Sequence, residues 1–212
     1  MWPLLSALLD LIAPRDCAAC GESSTRGLCP ECRGLLEPPG ARVLSGAPVL
    51  AAATYRAPLS RAIQRFKYEA RPDLAEPLAS LIGLDALKHA SREPGTLFVP
   101  VPLHRSRLAE RGYDQAALLA GALARSAGRR SSARALCRVR PTLQQARLDE
   151  SKRRENVVGA FAPSSGERLG GRPVVLVDDV ITTGATAVAC LEALRAAGAR
   201  VVAVACIALA SR

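Results

Sequence analysis

The chain has 212 residues, 49% of them hydrophobic and 23% charged, which suits one α/β domain with a packed core plus a small module and excludes a disordered chain or two large domains. The formal charge is +10, and every basic residue except Lys67, Lys88 and Lys152 is Arg. The planar guanidinium matches phosphate oxygens two at a time, so an anionic partner is expected, although charge alone does not separate a phosphate ligand from nucleic acid.

The opening stretch MWPLLSALLDLIAP is apolar but has no basic leader, holds Asp10 and breaks at Pro14, well short of a membrane span. Leu4, Leu5, Leu8, Leu9 and Ile12 fall at helical spacing, which predicts a short amphipathic helix packed on the protein rather than a signal peptide or anchor. No other segment reaches transmembrane length, so the expectation is a cytoplasmic protein without a membrane span.

In that setting seven cysteines argue against a disulfide framework. Four are clustered: CAACGESSTRGLCPEC supplies Cys17, Cys20, Cys29 and Cys32 as C-x2-C-x8-C-x2-C, two short knuckles that can present four thiolates to one tetrahedral ion, with Gly21 and Pro30 at the turns. With all four positions taken by protein, the predicted zinc is structural rather than catalytic. Cys137, Cys190 and Cys206 sit in apolar context and read as small buried hydrophobes.

LLEPPGARVLSGAPV then reads as a linker, placing a boundary near Ala41 to Gly46 and dividing the chain into a 1–45 cysteine module and a 46–212 catalytic-type domain. VLAAATY suggests a strand, and LSRAIQRFKYE a helix with Leu59, Ile63 and Phe66 inward. Lys67 and Tyr68, at its end, suit core-edge packing as readily as ligand contact. LAEPLASLIGLDALKH is helical with interruptions near Pro77 and Gly83. TLFVPVP is a buried strand, QAALLAGALARSAG is helical from about Asp114 to Gly128, and RALCRV is a further strand. VVLV and VVAVACIAL are continuous apolar runs of the kind parallel strands show when covered on both faces. Between them TAVACLEALRAAGAR is a helix with Ala187, Cys190, Leu191 and Leu194 inward, stopped at Gly198. The result is a βαβ unit, and ligands of such sheets bind beyond the carboxyl ends of the strands.

VVLVDDVITTGAT lies at such an end. Asp178 and Asp179 could hold Mg2+ or accept hydrogen bonds from paired hydroxyls. The residues that follow favour the second use: amides and the hydroxyls of Thr182, Thr183 and Thr186 converge on a helix N-terminus, which suits a phosphate monoester, and Gly184 allows close backbone approach. Two diol acceptors just before a phosphate cradle match the layout of ribose 5-phosphate. A G-x4-G-K-[ST] nucleotide-hydrolase loop is absent.

VLVDDVITTGAT resembles the phosphoribosyl-pyrophosphate (PRPP) signature of type I phosphoribosyltransferases. The four-cysteine N-terminus, FKY at Phe66–Tyr68, VPVPLHRSRLAERGYDQ and QARLDESKRRENVVGAF narrow the resemblance to the ComF family of competence-associated, phosphoribosyltransferase-like proteins. That resemblance implies a mostly parallel twisted sheet with helices on both faces, an N-terminal zinc knuckle, and Mg2+ bound with PRPP. By the same resemblance Asp178 and Asp179 take the ribose hydroxyls, and Thr182, Thr183, Gly184, Ala185 and Thr186 hold the 5-phosphate. Arg105, Arg107 and Arg111 lie where the family handles pyrophosphate. Gln145, Arg153 and Asn156 belong to a flap that closes over the ligand, with Arg153 counted beside the two aspartates as catalytic. The family pattern R-G-F-N-Q appears here as RGYDQ, so Tyr113 replaces a phenyl and Asp114 an amide, and a carboxylate there would weaken an adjoining anion site.

The implied reaction is transfer of 5-phosphoribose from PRPP to an unidentified nucleophile, with release of pyrophosphate. The other reading is a non-catalytic module that senses PRPP or a nucleotide in DNA uptake or processing, contacting single-stranded DNA or DNA-processing proteins through its basic surface. With three Phe, three Tyr and one Trp, stacking platforms for single strands are scarce.

Overall fold

The computed structural model describes residues 16–140, 157, 159–164 and 166–211. The predicted N-terminal helix and the flap residues Gln145, Arg153 and Asn156 lie outside them.

The cysteine segment folds as two tight turns and one short helix, α1 (Pro30–Gly34). Gly21 adopts φ +86°, open to glycine and strained for other residues, and its N–H returns to the Cys17 carbonyl. Pro30 opens α1, where its missing N–H would have no helical partner in any case. Asp16 ties this segment to the next helix, accepting from Arg65 at 2.6 Å and from Arg71 at 2.8 Å.

The stretch that reads as a linker is structured. β1 (Val43–Leu44) turns back through Ser45 and Gly46 and pairs antiparallel with β2 (Ala47–Thr54). After it, α2 (Leu59–Tyr68) buries Leu59, Ala62, Ile63 and Phe66, the inward stripe expected from their spacing. A 3₁₀ turn (Pro72–Leu74) leads into α3 (Ala75–Ala79), then α4 (Leu84–Ala90). Gly83 does separate two helices. Pro77, by contrast, sits inside α3, in its first turn, where an N–H has no intrahelical acceptor and a proline removes nothing.

β3 (Leu97–Pro100) is followed by α5 (Arg105–Arg111), capped by His104, and α6 (Gln115–Ser126). Then come β4 (Arg130–Ser131), β5 (Leu136–Arg138), β6 (Phe161–Pro163), β7 (Pro173–Ile181), α7 (Ala185–Ala196) and β8 (Arg200–Leu209). The main sheet runs β1-β2-β8-β7-β3-β4, parallel throughout except for the β1–β2 hairpin, while β5 and β6 form a separate antiparallel ribbon. Burial on both faces explains why β7 and β8 read as unbroken apolar runs. One face packs on α2, α3, α6 and the knuckle, so that Cys17, Cys29 and Cys32 share a cluster with Phe66 and Leu78. The other packs on α7 and the ribbon, where Cys190 and Leu191 meet Val174, Leu176 and Phe161. Cys190 and Cys206 are fully buried, as expected; Cys137, on the ribbon, is only half-buried.

Candidate functional site

The carboxyl ends of β3 and β7 open onto a cavity of about 430 Å³, lined among others by Lys67, Arg107, Arg111, Arg138, Asp178 and Asp179. β7 delivers the acids. It runs on through Asp178 and Asp179 to Ile181 in register with β8, so that Asp178 lies beside Cys206. The register fixes the backbone beneath both carboxylates. Asp178 Oδ1 accepts from the Asp179 amide at 2.9 Å, and Asp179 Oδ1 accepts from Lys67 Nζ at 2.8 Å.

Electrostatics separate these groups. Burial pushes the Asp178 carboxyl up to about 8; the adjacent Asp179 charge adds to the rise, and Lys67 opposes it. Burial works against the Lys67 ammonium, but the charge and hydrogen bond of Asp179 outweigh it and hold Lys67 above the ordinary lysine value. Burial also raises Asp114.

Beyond β7 the chain turns through Thr182 and Thr183 into α7. Gly184, at φ +87°, is its N-cap, and a Cβ there would stand 2.8 Å from Leu44 Cδ2. Thr182, Gly184, Ala185 and Thr186 line a small cleft that also touches Asp178, and Thr186 borders the main cavity as well. The Thr183 hydroxyl instead accepts from the Ala185 amide at 3.4 Å. Arg42 clasps the loop from behind, donating to the carbonyls of Thr182 at 2.6 Å and Thr183 at 2.8 Å. With those carbonyls engaged by Arg42, the loop is fixed at its start.

α5 forms the basic wall, with Gln115 at the start of α6 beside it. Arg111 donates to Gln115 Oε1 at 2.9 Å and to the Tyr68 hydroxyl at 3.2 Å, and its guanidinium lies 4.8 Å from the Tyr68 ring centroid. Arg107 lines the same cavity; Arg105, one residue into α5, is not among the lining residues. Arg138 reaches in from β5, its guanidinium 5.5 Å from the Phe161 ring centroid. The departures at 113 and 114 acquire structural roles. Tyr113 donates to the Phe66 carbonyl and packs on the Phe66 ring, and Asp114 caps α6 by accepting from the Ala117 amide at 3.0 Å.

The structure thus brings together Asp178, Asp179, Arg107, Arg111 and most of the threonine loop. Sequence reasoning missed Arg42 and Arg138 and left Lys67 undecided. Lys67 carried a signal, being one of three lysines in a chain otherwise supplied with Arg. Arg42 carried none, because its stretch read as a linker.

Some way off, the Sγ atoms of Cys17, Cys20, Cys29 and Cys32 all lie within 4.8 Å of one another, with Cys20 and Cys29 3.7 Å apart. Four thiolates at ~2.3 Å from a tetrahedral zinc would be separated by roughly 3.8 Å, so the donor set fits that ion. Although burial pulls the other way, backbone hydrogen bonds bring the Cys17 thiol down to about 6, whereas burial and the neighbouring cysteines push Cys32 well up and Cys29 is also raised, so without a metal the cluster favours a thiolate at Cys17 alone of these three. Among the described residues no helix is long and apolar enough to cross a membrane.

The phosphoribosyl transferase domain family matches residues 114–212. DNA utilization protein YhgH of Escherichia coli O6:H1 (strain CFT073) is 34% identical over 195 residues, covering 90% of this chain and 82% of that protein. Competence protein F of Haemophilus influenzae is 38% identical over 136 residues, 62% of this chain and 59% of its own length. Among solved structures, adenine phosphoribosyltransferase from Leishmania donovani aligns at a TM-score of 0.43 and 16% identity, covering 79% of this chain and 73% of that one.

Proposed function

Because the chain belongs to the family of YhgH and competence protein F, the ComF family, and has a type I phosphoribosyltransferase fold, we propose that it binds PRPP and transfers its 5-phosphoribosyl group. The observation that carries this reading is one continuous segment of chain. The acid pair at the end of β7 and the phosphate-sized loop at the start of α7 are consecutive, and the basic wall of α5 stands across the same cavity. On this reading Asp178 and Asp179 accept from the ribose 2- and 3-hydroxyls. The amides and hydroxyls of residues 182–186 hold the 5-phosphate at the positive end of α7.

In the reaction the C1–O bond breaks, its electron pair leaves with pyrophosphate, and a ring nitrogen or amine of the acceptor forms the new bond to C1 from the opposite face. Arg107 and Arg111 stabilise the charge gathering on the leaving group; the flap residues that the resemblance implies, Gln145, Arg153 and Asn156, lie outside the described residues. Asp178 and Asp179 offer the hard oxygen donors a Mg2+ brought in with PRPP would accept, and that ion would supply charge neutralisation at the leaving group. Cys17, Cys20, Cys29 and Cys32 hold structural zinc. A cytoplasmic location belongs to the same reading, since a clustered four-cysteine set of this spacing suits metal binding in a reducing compartment.

The test is titration calorimetry with PRPP and Mg2+, followed by pyrophosphate release against a panel of bases and amines. Heat with wild type that disappears in Asp178→Ala/Asp179→Ala supports the reading; no heat with wild type defeats it. A second reading, a PRPP-responsive module acting on DNA, is favoured by the +10 charge and by the names of the relatives. It requires single-stranded DNA affinity that falls steeply with salt, and would be abandoned if no binding occurs at low salt.

A further inference from the structure

We propose that Tyr68 determines what the phosphoribosyl group is transferred to: its ring presents an open aromatic face to the cavity and selects a planar aromatic acceptor over an aliphatic amine. This rests on the reading that a 5-phosphoribosyl group docks at Asp178, Asp179 and the threonine loop, and it decides between the two kinds of nucleophile which that reading allows.

The chain uses aromatic residues sparingly, with three Phe, three Tyr and one Trp. Phe66, Phe98 and Phe161 are buried. Tyr113 packs on the Phe66 ring, and Tyr55 is half-buried beside the same core. Tyr68 differs from all of these. It is 62% exposed, and among the described Phe and Tyr residues it alone lines the main cavity.

Exposure by itself would make Tyr68 an ordinary surface residue. The second observation is that the exposed ring is held. Its backbone is fixed at the end of α2, where Phe66 is fully buried and Lys67 reaches Asp179 at 2.8 Å. Its hydroxyl accepts from Arg111 at 3.2 Å, and the Arg111 guanidinium lies 4.8 Å from the ring centroid. Arg111 is itself tied to Gln115, which is buried. A side chain ordered at both ends before any ligand arrives loses little freedom on binding, which is what a stacking platform requires. The guanidinium takes one face of the ring and leaves the other for a second flat group, a placement that keeps the arginine assigned to the leaving group apart from the incoming acceptor.

Placement agrees with this role. In ribose 5-phosphate, C1 and the phosphate-bearing C5 stand on opposite sides of the diol. The threonine loop lines its own small cleft, which Tyr68 does not border, whereas Tyr68 follows directly on the lysine that touches Asp179. With the phosphate in that cleft and the diol at the acids, C1 faces the part of the cavity where Tyr68 stands. An aromatic face there rewards a ring, which can lie flat against it, and offers an alkyl amine little.

Calorimetry tests this with ribose 5-phosphate, AMP and UMP, the nucleotides adding one ring to the same sugar, on wild type, Tyr68→Ala and Tyr68→Phe. Wild type should bind both nucleotides about tenfold more tightly than ribose 5-phosphate, since every base has a π-face to stack. Tyr68→Ala should lose that advantage while keeping its affinity for ribose 5-phosphate, and Tyr68→Phe should retain the advantage. Nucleotides bound no more tightly than ribose 5-phosphate by wild type, an equal loss for all three ligands in Tyr68→Ala, or the same loss in Tyr68→Phe as in Tyr68→Ala overturns the proposal and leaves the functional reading standing. Should Tyr68→Ala not fold, Tyr68→Leu takes its place with the same expected loss. If wild type does not bind ribose 5-phosphate at all, the functional reading falls and this proposal with it.

Discussion

Gly184 and Leu44 are in mutual contact range: a Cβ on the glycine would come within 2.8 Å of the leucine Cδ2, and the glycine already sits at φ +87°. Gly184→Ala should therefore lose about 1–2 kcal/mol from the left-handed backbone alone, read by urea unfolding. The double variant with Leu44→Ala removes the clash but not the backbone strain. Because Leu44 is buried and its truncation has its own packing cost, a double variant no less stable than Leu44→Ala alone would show that strain plays no part.

Arg42 should matter to a ligand it never touches. Arg42→Ala removes two donors from the carbonyls of Thr182 and Thr183, leaving the loop free to rearrange. PRPP affinity is expected to fall roughly tenfold with a stability loss of about 1 kcal/mol. Calorimetry beside thermal melting separates the two effects.

The Asp178 carboxyl predicts a direction for stability against pH. Its folded value is raised to about 8 from an ordinary 3.8, so between those values the unfolded chain releases a proton that the folded chain retains. Folding stability from this group is therefore highest below the unfolded value and declines as pH rises toward 8. Asp178→Asn should flatten that decline, so that the variant gains on wild type between pH 5 and pH 8.5 in melting scans. Parallel curves would contradict it.

Metal removal should be felt in the core. Cys17, Cys29 and Cys32 share an apolar cluster with Phe66, so chelation or Cys29→Ser should cost more than about 3 kcal/mol, beyond a typical surface substitution. Elemental analysis before and after chelation, paired with melting, checks this.

Asp114 separates two roles. Asp114→Ala forfeits the α6 cap and should cost about 1 kcal/mol, whereas Asp114→Asn keeps a capping oxygen and stays near wild type. Because the amide also removes a carboxylate beside an anion site, PRPP should bind Asp114→Asn at least as tightly as wild type.

Much of this architecture could be read directly from the chain. The apolar runs at β7 and β8, the stripe of α2 and the cysteine spacing all follow from local periodicity, which tertiary packing reinforced. The acid pair was legible because both halves of its motif are consecutive. What escaped depends on long-range contact. Arg42 acts across the sheet edge on residues far along the chain, and its Pro- and Gly-rich surroundings disguised a hairpin. Arg138 enters from a three-residue strand too short to show a period. Lys67 was visible as a residue but not as a partner, because nothing local says that the end of α2 meets the end of β7.

Strand order carries a consequence for synthesis. β8 follows every other described strand in the chain, yet lies between β2 and β7. Until it leaves the ribosome, β2 has no parallel neighbour and must wait through most of translation with only its hairpin for company. Nascent chains arrested before residue 200 should accordingly be open to protease across β2, and the sheet should close late, as a single event.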